Sequence, residues 1–171
     1  MEKHTQQQQT AKVTVNRKAT ELTATNVTTI YNVYKDLLIT LKDSSGNAIS
    51  NASVTVDLNG EKEYTTDENG QIIISTEGLP IKSYTATISF AGDKNHNGSS
   101  TNATVTIQKA SVTITAKAKT FKYEDKTKKY TITLKDNKGN VLKNRKLTLK
   151  VNGKTYTATT NSKGNSKQKS N

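Results

Sequence analysis

The chain contains no cysteine, no tryptophan and only one proline among its 171 residues. Without cysteine there can be no disulfide bond, no thiolate metal site and no cysteine nucleophile. Apolar runs are short as well: "LLI" and "III" are among the longest, whereas a membrane-spanning helix needs about 20 apolar residues. The opening "MEKHTQQQQTAK" lacks the apolar segment of a signal peptide. The sequence therefore predicts no membrane insertion and no signal peptide in this chain.

Threonine, serine, valine and isoleucine are plentiful instead, and these residues favour the pleated, half-buried strands of β-sheets. Charge is unevenly spread. Residues 1–110 hold 10 Lys/Arg and 11 Asp/Glu, whereas residues 111–171 hold 16 Lys/Arg and 3 Asp/Glu. The basic C-terminal third could neutralise a polyanion. The competing interpretation is a solvated surface that only keeps the protein soluble.

One stretch of the chain is repeated. "ITLKDSSGNAISNASVTVDLNG" from Ile39 returns as "ITLKDNKGNVLKNRKLTLKVNG" from Ile132, 93 residues later. Upstream, "VTVNRKATELTATNVTTIY" aligns with "VTIQKASVTITAKAKTFKY", so Val13–Asn16 is predicted to close a repeat that precedes this one. We expect residues 1–18 to form a polar tail plus that closing strand, residues 19–109 a complete repeat, and residues 110–171 a basic, C-terminally truncated repeat.

The complete repeat shows period-2 alternation in seven short stretches, separated by "DSSGN", "LNGE", "DENG" and the long "AGDKNHNGSS". This pattern predicts an all-β chain of antiparallel immunoglobulin-like β-sandwich repeats, one complete and one truncated. A transthyretin-like or carboxypeptidase-regulatory-like sandwich is the nearest competing topology. In the last repeat "NSKQKSN" stands where the first has "QIIIS". About three strands, including the counterpart of Tyr84–Phe90, are therefore expected to be missing, which leaves one face and one edge uncovered.

The segments "YKDLLITLKDSSGNAISNASVTVDLNG", "TTDENGQ" and "LPIKSYTATISFAGDKNHNGSS" resemble the Ig-like (Big-type) repeats of adhesin-like surface proteins of methanogenic archaea. The segment from Lys109 onwards resembles the basic C-terminal repeats of the same proteins. The resemblance covers about residues 13–164 and includes no catalytic motif. It implies an extracellular tandem array that projects from the cell surface, with basic repeats that hold the cell wall.

Two kinds of modification or ligand site can be nominated. Glycosylation of an exported chain would use four Asn-x-Ser/Thr sequons, although an Asn- and Thr-rich chain produces such triplets by chance: Asn26, Asn51, Asn97 and Asn102. "DKNHNG" from Asp93 copies the first half of a calcium loop, but Thr104 stands where a bidentate Glu is needed. A polar loop between strands is the favoured interpretation, and we predict no metal and no cofactor.

The only histidines are His4 and His96, and no nucleophile elbow or phosphate-binding glycine loop is present, so the chain is not expected to be an enzyme. Contacts to a polyanion would come from the basic repeat: Lys117, Lys119, Lys122, Lys126, Lys128, Lys129, Lys143, Arg145 and Lys146. A specific nucleic-acid partner is disfavoured because the few aromatic residues form no stacking platform.

We therefore expect a non-enzymatic, adhesin-like cell-surface stalk whose Ig-like repeats act as spacers and interaction modules through loops such as Ser44–Asn51 and Ala91–Ser100. The alternative is a module that binds anionic cell-wall polymer through the basic repeat. The expected partners are cell-wall polymer, a surface glycan or protein, and neighbouring Ig-like repeats. Carbohydrate binding through Tyr34 and His96 ranks last.

Overall fold

The computed structural model describes residues 16–122, 124 and 128–170. The chain divides into two compact units, residues 1–108 and residues 109–171. The described residues form strands and no helix, and they therefore include no apolar helix long enough to cross a membrane. The all-β prediction is thus confirmed. The strands are β1 Thr20–Ala24, β2 Val27–Ile30, β3 Asp36–Asp43, β4 Ser53–Asp57, β5 Glu61–Thr65, β6 Gln71–Ser75, β7 Ser83–Gly92, β8 Asn97–Gln108, β9 Val112–Ala116, β10 Lys128–Asp136, β11 Lys146–Val151, β12 Lys154–Thr159 and β13 Asn165–Ser170.

The first unit is a sandwich of two sheets. One sheet has the order β1-β3-β6 and the other the order β2-β8-β7-β4-β5. The neighbours β1-β3-β6 and β8-β7-β4-β5 are those of the immunoglobulin arrangement. Side chains alternate as the sequence predicts: along β7 every second residue from Tyr84 to Phe90 is buried and the others are exposed. Since successive side chains point to opposite faces of a strand, this alternation turns one face of each sheet inwards.

Eighteen buried apolar residues from both sheets form the core of this first unit. Its centre is fully enclosed, because Leu37, Ile39 and Leu41 of β3 and Ala86 and Ile88 of β7 have 0% exposure. Burial of each large aliphatic side chain contributes roughly 1.5–3 kcal/mol. The core therefore depends on apolar side chains from both sheets, with β3 on one side and the β7–β8 hairpin on the other.

The first strand of the repeat is divided, which the sequence pattern did not predict. Strand β1, which pairs with β3, ends at Ala24. The chain then crosses to the opposite sheet and begins β2 at Val27, and β2 pairs with β8 in parallel. The seven expected strands are thus eight, and one pair is parallel rather than antiparallel. The crossing is held at Asn26, whose Oδ1 accepts a hydrogen bond from the Thr104 N–H at 2.7 Å.

The predicted long loop "AGDKNHNGSS" is in fact a short hairpin connection. β7 continues to Gly92 and β8 begins at Asn97, so only four residues lie outside the strands. The two backbones approach closely here: a Cβ atom on Gly98 would lie 2.8 Å from the Phe90 carbonyl oxygen. Gly92 also has a φ of 90°, a backbone conformation that residues other than glycine rarely adopt. Both glycines allow the ladder to extend into the predicted loop.

The second unit repeats part of this architecture in the same register. Strands β9-β10-β13 form one sheet and β11-β12 a second. Ile132 pairs with Ala116 as Ile39 pairs with Ala24, and the β11–β12 register likewise reproduces that of β4–β5. Strand β13 corrects the prediction at "NSKQKSN": Asn165–Ser170 pair with β10 at the position where "QIIIS" pairs with β3. Backbone hydrogen bonds form this strand without the apolar side chains of the first unit.

Among the described residues, the second unit has no counterpart of β2, β7 or β8. The predicted uncovered face is present: Ile114 is 61% exposed, whereas the equivalent Leu22 is 6% exposed. The segment that aligns with β2 begins at Lys119 and forms no strand in its described part, since the partner on which β2 depends is β8. The closing strand predicted at Val13–Asn16 lies, apart from Asn16, outside the described residues.

A buried threonine hydroxyl fixes the same corner in both units. Thr66 Oγ1 donates to the Ile49 carbonyl at 2.7 Å and accepts from the Ala52 N–H at 2.9 Å. Thr160 makes the equivalent bonds to the Leu142 carbonyl and the Arg145 N–H. The hydroxyl thereby satisfies two backbone groups of the turn that leads into β4 or β11.

The substitution Thr66→Val should destabilise the first unit by roughly 1–3 kcal/mol, because it retains the shape but leaves the Ala52 N–H and the Ile49 carbonyl unsatisfied. Urea unfolding monitored by NMR signals of β3 and β7 measures this. The neighbouring exposed Thr65→Val is the matched control and should change stability by less than about 0.5 kcal/mol. Equal effects of the two substitutions would contradict the proposed role of the hydroxyl.

Candidate interaction surface

Three of the predicted basic residues line one shallow groove in the second unit. Lys117 and Lys119 follow β9, and Lys129 lies on the neighbouring strand β10. The groove has a volume of about 240 Å³ and is also lined by Thr115, Ala118, Tyr130, Thr131 and Thr133. It offers ammonium groups, hydroxyl groups and one aromatic ring, a combination suited to an anionic ligand.

Lys119 is held in position within this groove. Its Nζ donates to the Lys129 carbonyl oxygen at 3.1 Å and lies 5.0 Å from the centre of the Phe121 ring. A cation over an aromatic face contributes about 0.5–1 kcal/mol at an exposed site. Lys119 therefore presents an oriented charge, whereas an ordinary surface lysine must lose rotamer freedom on binding.

The other predicted basic residues whose side chains are described do not line this groove. Lys143, Arg145 and Lys146 are exposed around the start of β11. Lys122 is exposed but does not line the groove. Lys126 lies outside the described residues, and for Lys128 only the backbone, in β10, is described.

The repeated "LKD…GN" turns are organised by an aspartate carboxylate. Asp43 Oδ1 accepts the N–H groups of Ser45 and Asn47 at 2.8 and 2.9 Å. Its Oδ2 accepts from Asn47 Nδ2 at 3.1 Å and from Lys18 Nζ at 3.2 Å. These donors, with the Asn47 amide foremost, hold the pKa of Asp43 far below its usual range. The carboxylate is 6% exposed and serves the turn rather than a ligand.

Asp136 has the same role in the second unit. It accepts the N–H groups of Lys138 and Asn140 at 2.9 and 2.8 Å, and the Asn140 side-chain amide at 3.1 Å. The Asn140 amide is the main cause of a lowered pKa at Asp136. The recurrence of this aspartate and asparagine at an offset of 93 was the sequence signal for the motif.

The loop with the partial calcium pattern uses its carboxylate internally. Asp93 Oδ1 accepts the N–H groups of Asn95 and His96, both at 2.7 Å, and both carboxylate oxygens lie 3.0 Å from His96 Nδ1. The bond to the His96 side chain is the main cause of the lowered Asp93 pKa. Thr104 lies on β8 and its N–H bonds to Asn26. Among the described residues, no three His, Cys, Asp or Glu side chains are grouped to hold a metal ion.

All four sequon asparagines are exposed, but three of them have structural roles. Asn26 holds the crossing between the sheets, as described above. Asn51 has a φ of 53° and its counterpart Asn144, which is not in a sequon, has a φ of 54°. Because asparagine tolerates this left-handed conformation, the turn itself explains Asn51. Asn97 and Asn102 lie on β8, and the Asn97 Nδ2 donates to the Arg17 carbonyl at 3.5 Å.

Sequence reasoning missed part of the groove. Tyr130, Thr131 and Thr133 belong to β10 and line it only because β9 pairs beside that strand. The signal that could have found them is the alternation along β10, read together with the lysines after β9. His96 and Tyr34, which ranked last as carbohydrate contacts, are not grouped by the structure: His96 bonds to Asp93.

Comparisons with known proteins give a limited result. No protein-family model matches the chain, and no curated protein matches it. Among solved structures, one similar chain comes from work on the host cell surface retention of a 1.5-MDa bacterial ice-binding adhesin, with 16% identity and a TM-score of 0.41. A second comes from work on a Ca²⁺-stabilized adhesin that helps an Antarctic bacterium bind ice, with 18% identity and a TM-score of 0.36.

The alignments cover 91% and 89% of this chain but only 55% and 41% of the respective structures. The chain thus spans about half the length of these proteins. Similarity of this degree carries no inference about ligand or activity.

The pKa shift of Asp43 predicts how acid affects the first unit. Because its folded pKa lies below the ordinary value of about 3.9, the ionised carboxylate stabilises the unit at neutral pH, and this contribution is lost as the pH falls from about 4 towards the folded pKa. Asp43→Asn should lower stability at pH 7 and make its decline below pH 4 shallower.

Urea unfolding midpoints between pH 2 and pH 7, read from NMR signals of the first unit, measure this effect. Asp136→Asn removes the equivalent carboxylate from the second unit and should leave those midpoints unchanged. A pH profile of Asp43→Asn parallel to that of the wild type would refute the assignment.

Proposed function

We propose that the chain is part of a non-enzymatic, adhesin-like surface protein, in which the complete repeat acts as a load-bearing spacer outside the cell. The observation that carries this proposal is the parallel pair β2–β8. The repeat style favours the adhesin-like proteins of methanogenic archaea as the kind of parent protein. In an exported chain, the exposed Asn102 is the sequon best placed to carry a glycan.

The chain enters the complete repeat through β1 and β2 and leaves it along β8, and β2 and β8 are neighbouring parallel strands. β2 follows the entry, and β8 is the last strand before the exit. They pair from Val27 opposite Val105 to Ile30 opposite Gln108, and the Tyr31 N–H adds a bond to the Gln108 carbonyl at 2.8 Å. Ahead of β1, Lys18 also exchanges backbone hydrogen bonds with the start of β8.

This geometry opposes extension. Tension draws β2 towards its N-terminal end and β8 towards its C-terminal end, and these ends lie on opposite sides of a parallel pair. The hydrogen bonds between them are therefore sheared together instead of being opened one after another. A repeat with this arrangement resists a pulling force better than one whose terminal strands separate one hydrogen bond at a time. A spacer between a cell and the surface to which it adheres needs this resistance.

Single-molecule pulling on the ends of the full chain tests this clamp. Unfolding of the complete repeat should release roughly 300 Å of chain, from about 90 residues at up to 3.6 Å each. The Tyr31 N–H donates to the Gln108 carbonyl of β8, and N–H groups alternate along a strand, so Tyr31→Pro removes a donor from the clamp whereas Ile30→Pro, at the adjacent and similarly exposed position, does not. Tyr31→Pro should lower the unfolding force clearly more than Ile30→Pro. Equal forces for both variants would contradict the spacer proposal.

The second candidate function is binding of an anionic cell-wall polymer through the basic unit. It is favoured by the 16 Lys/Arg against 3 Asp/Glu in residues 111–171, and by the groove that orients Lys119. Contacts of this type release counterions and weaken steeply as salt is added. The partner would be recognised by its density of negative charge.

Retention of the chain on an immobilised polyphosphate or polyglutamate column tests this second function. The triple variant Lys117→Gln, Lys119→Gln, Lys129→Gln should elute at clearly lower salt than the wild type. Lys62→Gln, Lys82→Gln, Lys94→Gln removes the same charge from the first unit and should elute close to the wild type. Equal shifts of both variants would indicate a response to net charge alone, without a binding surface.

A further inference from the structure

Four Asn-Gly pairs in the chain can undergo a reaction that needs no enzyme: Asn59–Gly60, Asn69–Gly70, Asn97–Gly98 and Asn152–Gly153. In this reaction the backbone nitrogen of the glycine attacks the side-chain carbonyl carbon of the asparagine. Glycine permits the approach because it has no side chain, and asparagine is among the thermolabile residues. In the folded protein, the pair that reacts first is the one whose glycine nitrogen is least restrained.

Two of the four pairs are packed against neighbouring backbone. The Gly70 N–H donates to the Asp67 carbonyl at 3.0 Å, and Gly70 is buried. A Cβ atom on Gly70 would lie 2.5 Å from the Leu41 carbonyl oxygen, and one on Gly98 would lie 2.8 Å from the Phe90 carbonyl oxygen. Attack requires the glycine nitrogen to move towards the preceding side chain, and such close packing opposes that movement.

The other two pairs lie in exposed turns of equivalent hairpins. Asn59 and Gly60 lie between β4 and β5, and Asn152 and Gly153 lie between β11 and β12. All four residues are exposed, and a Cβ atom on either glycine would find open space. The turn at Asn59 is exposed although the β7–β8 hairpin is present, so the exposure of such a turn does not depend on what lies over the sheet face.

The glycine nitrogen is held in one of these turns and not in the other. The Gly60 N–H donates to Asp57 Oδ1 at 3.2 Å. The Gly153 N–H has no acceptor among the described residues. It lies in a two-residue turn in which Asn152 and Gly153 have φ values of 45° and 77°. A nitrogen that must first break a hydrogen bond attacks more slowly than one that is free to do so.

The charges beside the two turns also differ. Asp57 and Glu61 flank the first turn, whereas Lys150 and Lys154 flank the second. The attacking nitrogen loses its proton, and negative charge then develops on this nitrogen and on the carbonyl oxygen of the asparagine. Nearby ammonium groups lower the energy of that charge, and nearby carboxylates raise it. Both differences between the turns favour reaction at Asn152.

We propose that Asn152 is a site of spontaneous deamidation in the folded chain. The Gly153 nitrogen, after giving its proton to hydroxide from the solvent, bonds to the Asn152 side-chain carbonyl carbon. The side-chain amide nitrogen takes up a proton from water and leaves as ammonia. Water then opens the resulting cyclic imide at either of its two carbonyl groups, which gives aspartate or isoaspartate at residue 152. This inference is independent of the spacer and polymer-binding proposals.

The product alters the basic unit in two ways. A carboxylate replaces a neutral amide between Lys150 and Lys154, which lowers the positive charge of the unit. In isoaspartate the main chain also runs through the former side chain and is one methylene longer. The two-residue turn then loses the geometry that pairs Val151 with Lys154, so the end of the β11–β12 hairpin weakens.

Incubation of the full chain at mildly alkaline pH, followed by peptide mass spectrometry, measures the deamidation rate at each of the four pairs separately. Asn152 should react at least about fivefold faster than Asn59, the factor expected when one ordinary hydrogen bond must be broken first. In concentrated urea the four rates should converge, since the same dipeptide is then unrestrained in each case. Equal rates at Asn152 and Asn59 in the folded chain, or the same difference in urea, would overturn the proposal.

The substitution Asp57→Ala tests the physical reason for the difference. It frees the Gly60 N–H and removes a negative charge, so the rate at Asn59 should rise about fivefold. Asn69 is the internal control, because Gly70 keeps its bond to the Asp67 carbonyl, and its rate should not change. An unchanged rate at Asn59, or an equal rise at both sites through general unfolding, would contradict the role assigned to the hydrogen bond.

Discussion

The structure depends on one constraint: an apolar sheet face must be covered by a second sheet. In the complete repeat the β7–β8 hairpin meets this requirement, and side chains such as Ile39 and Ile88 are fully enclosed. The basic unit contains the same turns and the same registers, but no described strand covers its face. Two segments with nearly the same local sequence therefore differ in burial because of what lies opposite them.

Local features were predictable from the sequence because they depend on nearby residues. Period-2 alternation located the strands of the first unit, and the recurring aspartate and Asn-Gly turns located the bends between them. The repeat offset of 93 carried these features to the second unit. The uncovered face followed from the same comparison, since the counterpart of Tyr84–Phe90 has no equivalent in the sequence.

The features that were missed depend on partners distant in the sequence. Strand β13 is formed by backbone bonds to β10, and its polar side chains gave no sign of it. The division of the first strand depends on Asn26, whose partner Thr104 is 78 residues away. The hairpin at Asp93 extends into a predicted loop because Gly92 and Gly98 allow close approach of two backbones. The groove around Lys119 exists only where two strands lie side by side, so charge counting could not separate it from the other basic residues.

The two units differ in closure and charge: the first is closed and nearly neutral, and the second is open and basic in its described part. Residue-resolved hydrogen exchange on the unmodified full chain tests this contrast most directly. The account predicts that the amides of Val54 and Val56 exchange at least about a hundredfold more slowly than those of Leu147 and Leu149, because β4 opens only with its whole sandwich. Equal protection at these matched positions would contradict it, since the basic unit would then be as closed as the complete repeat.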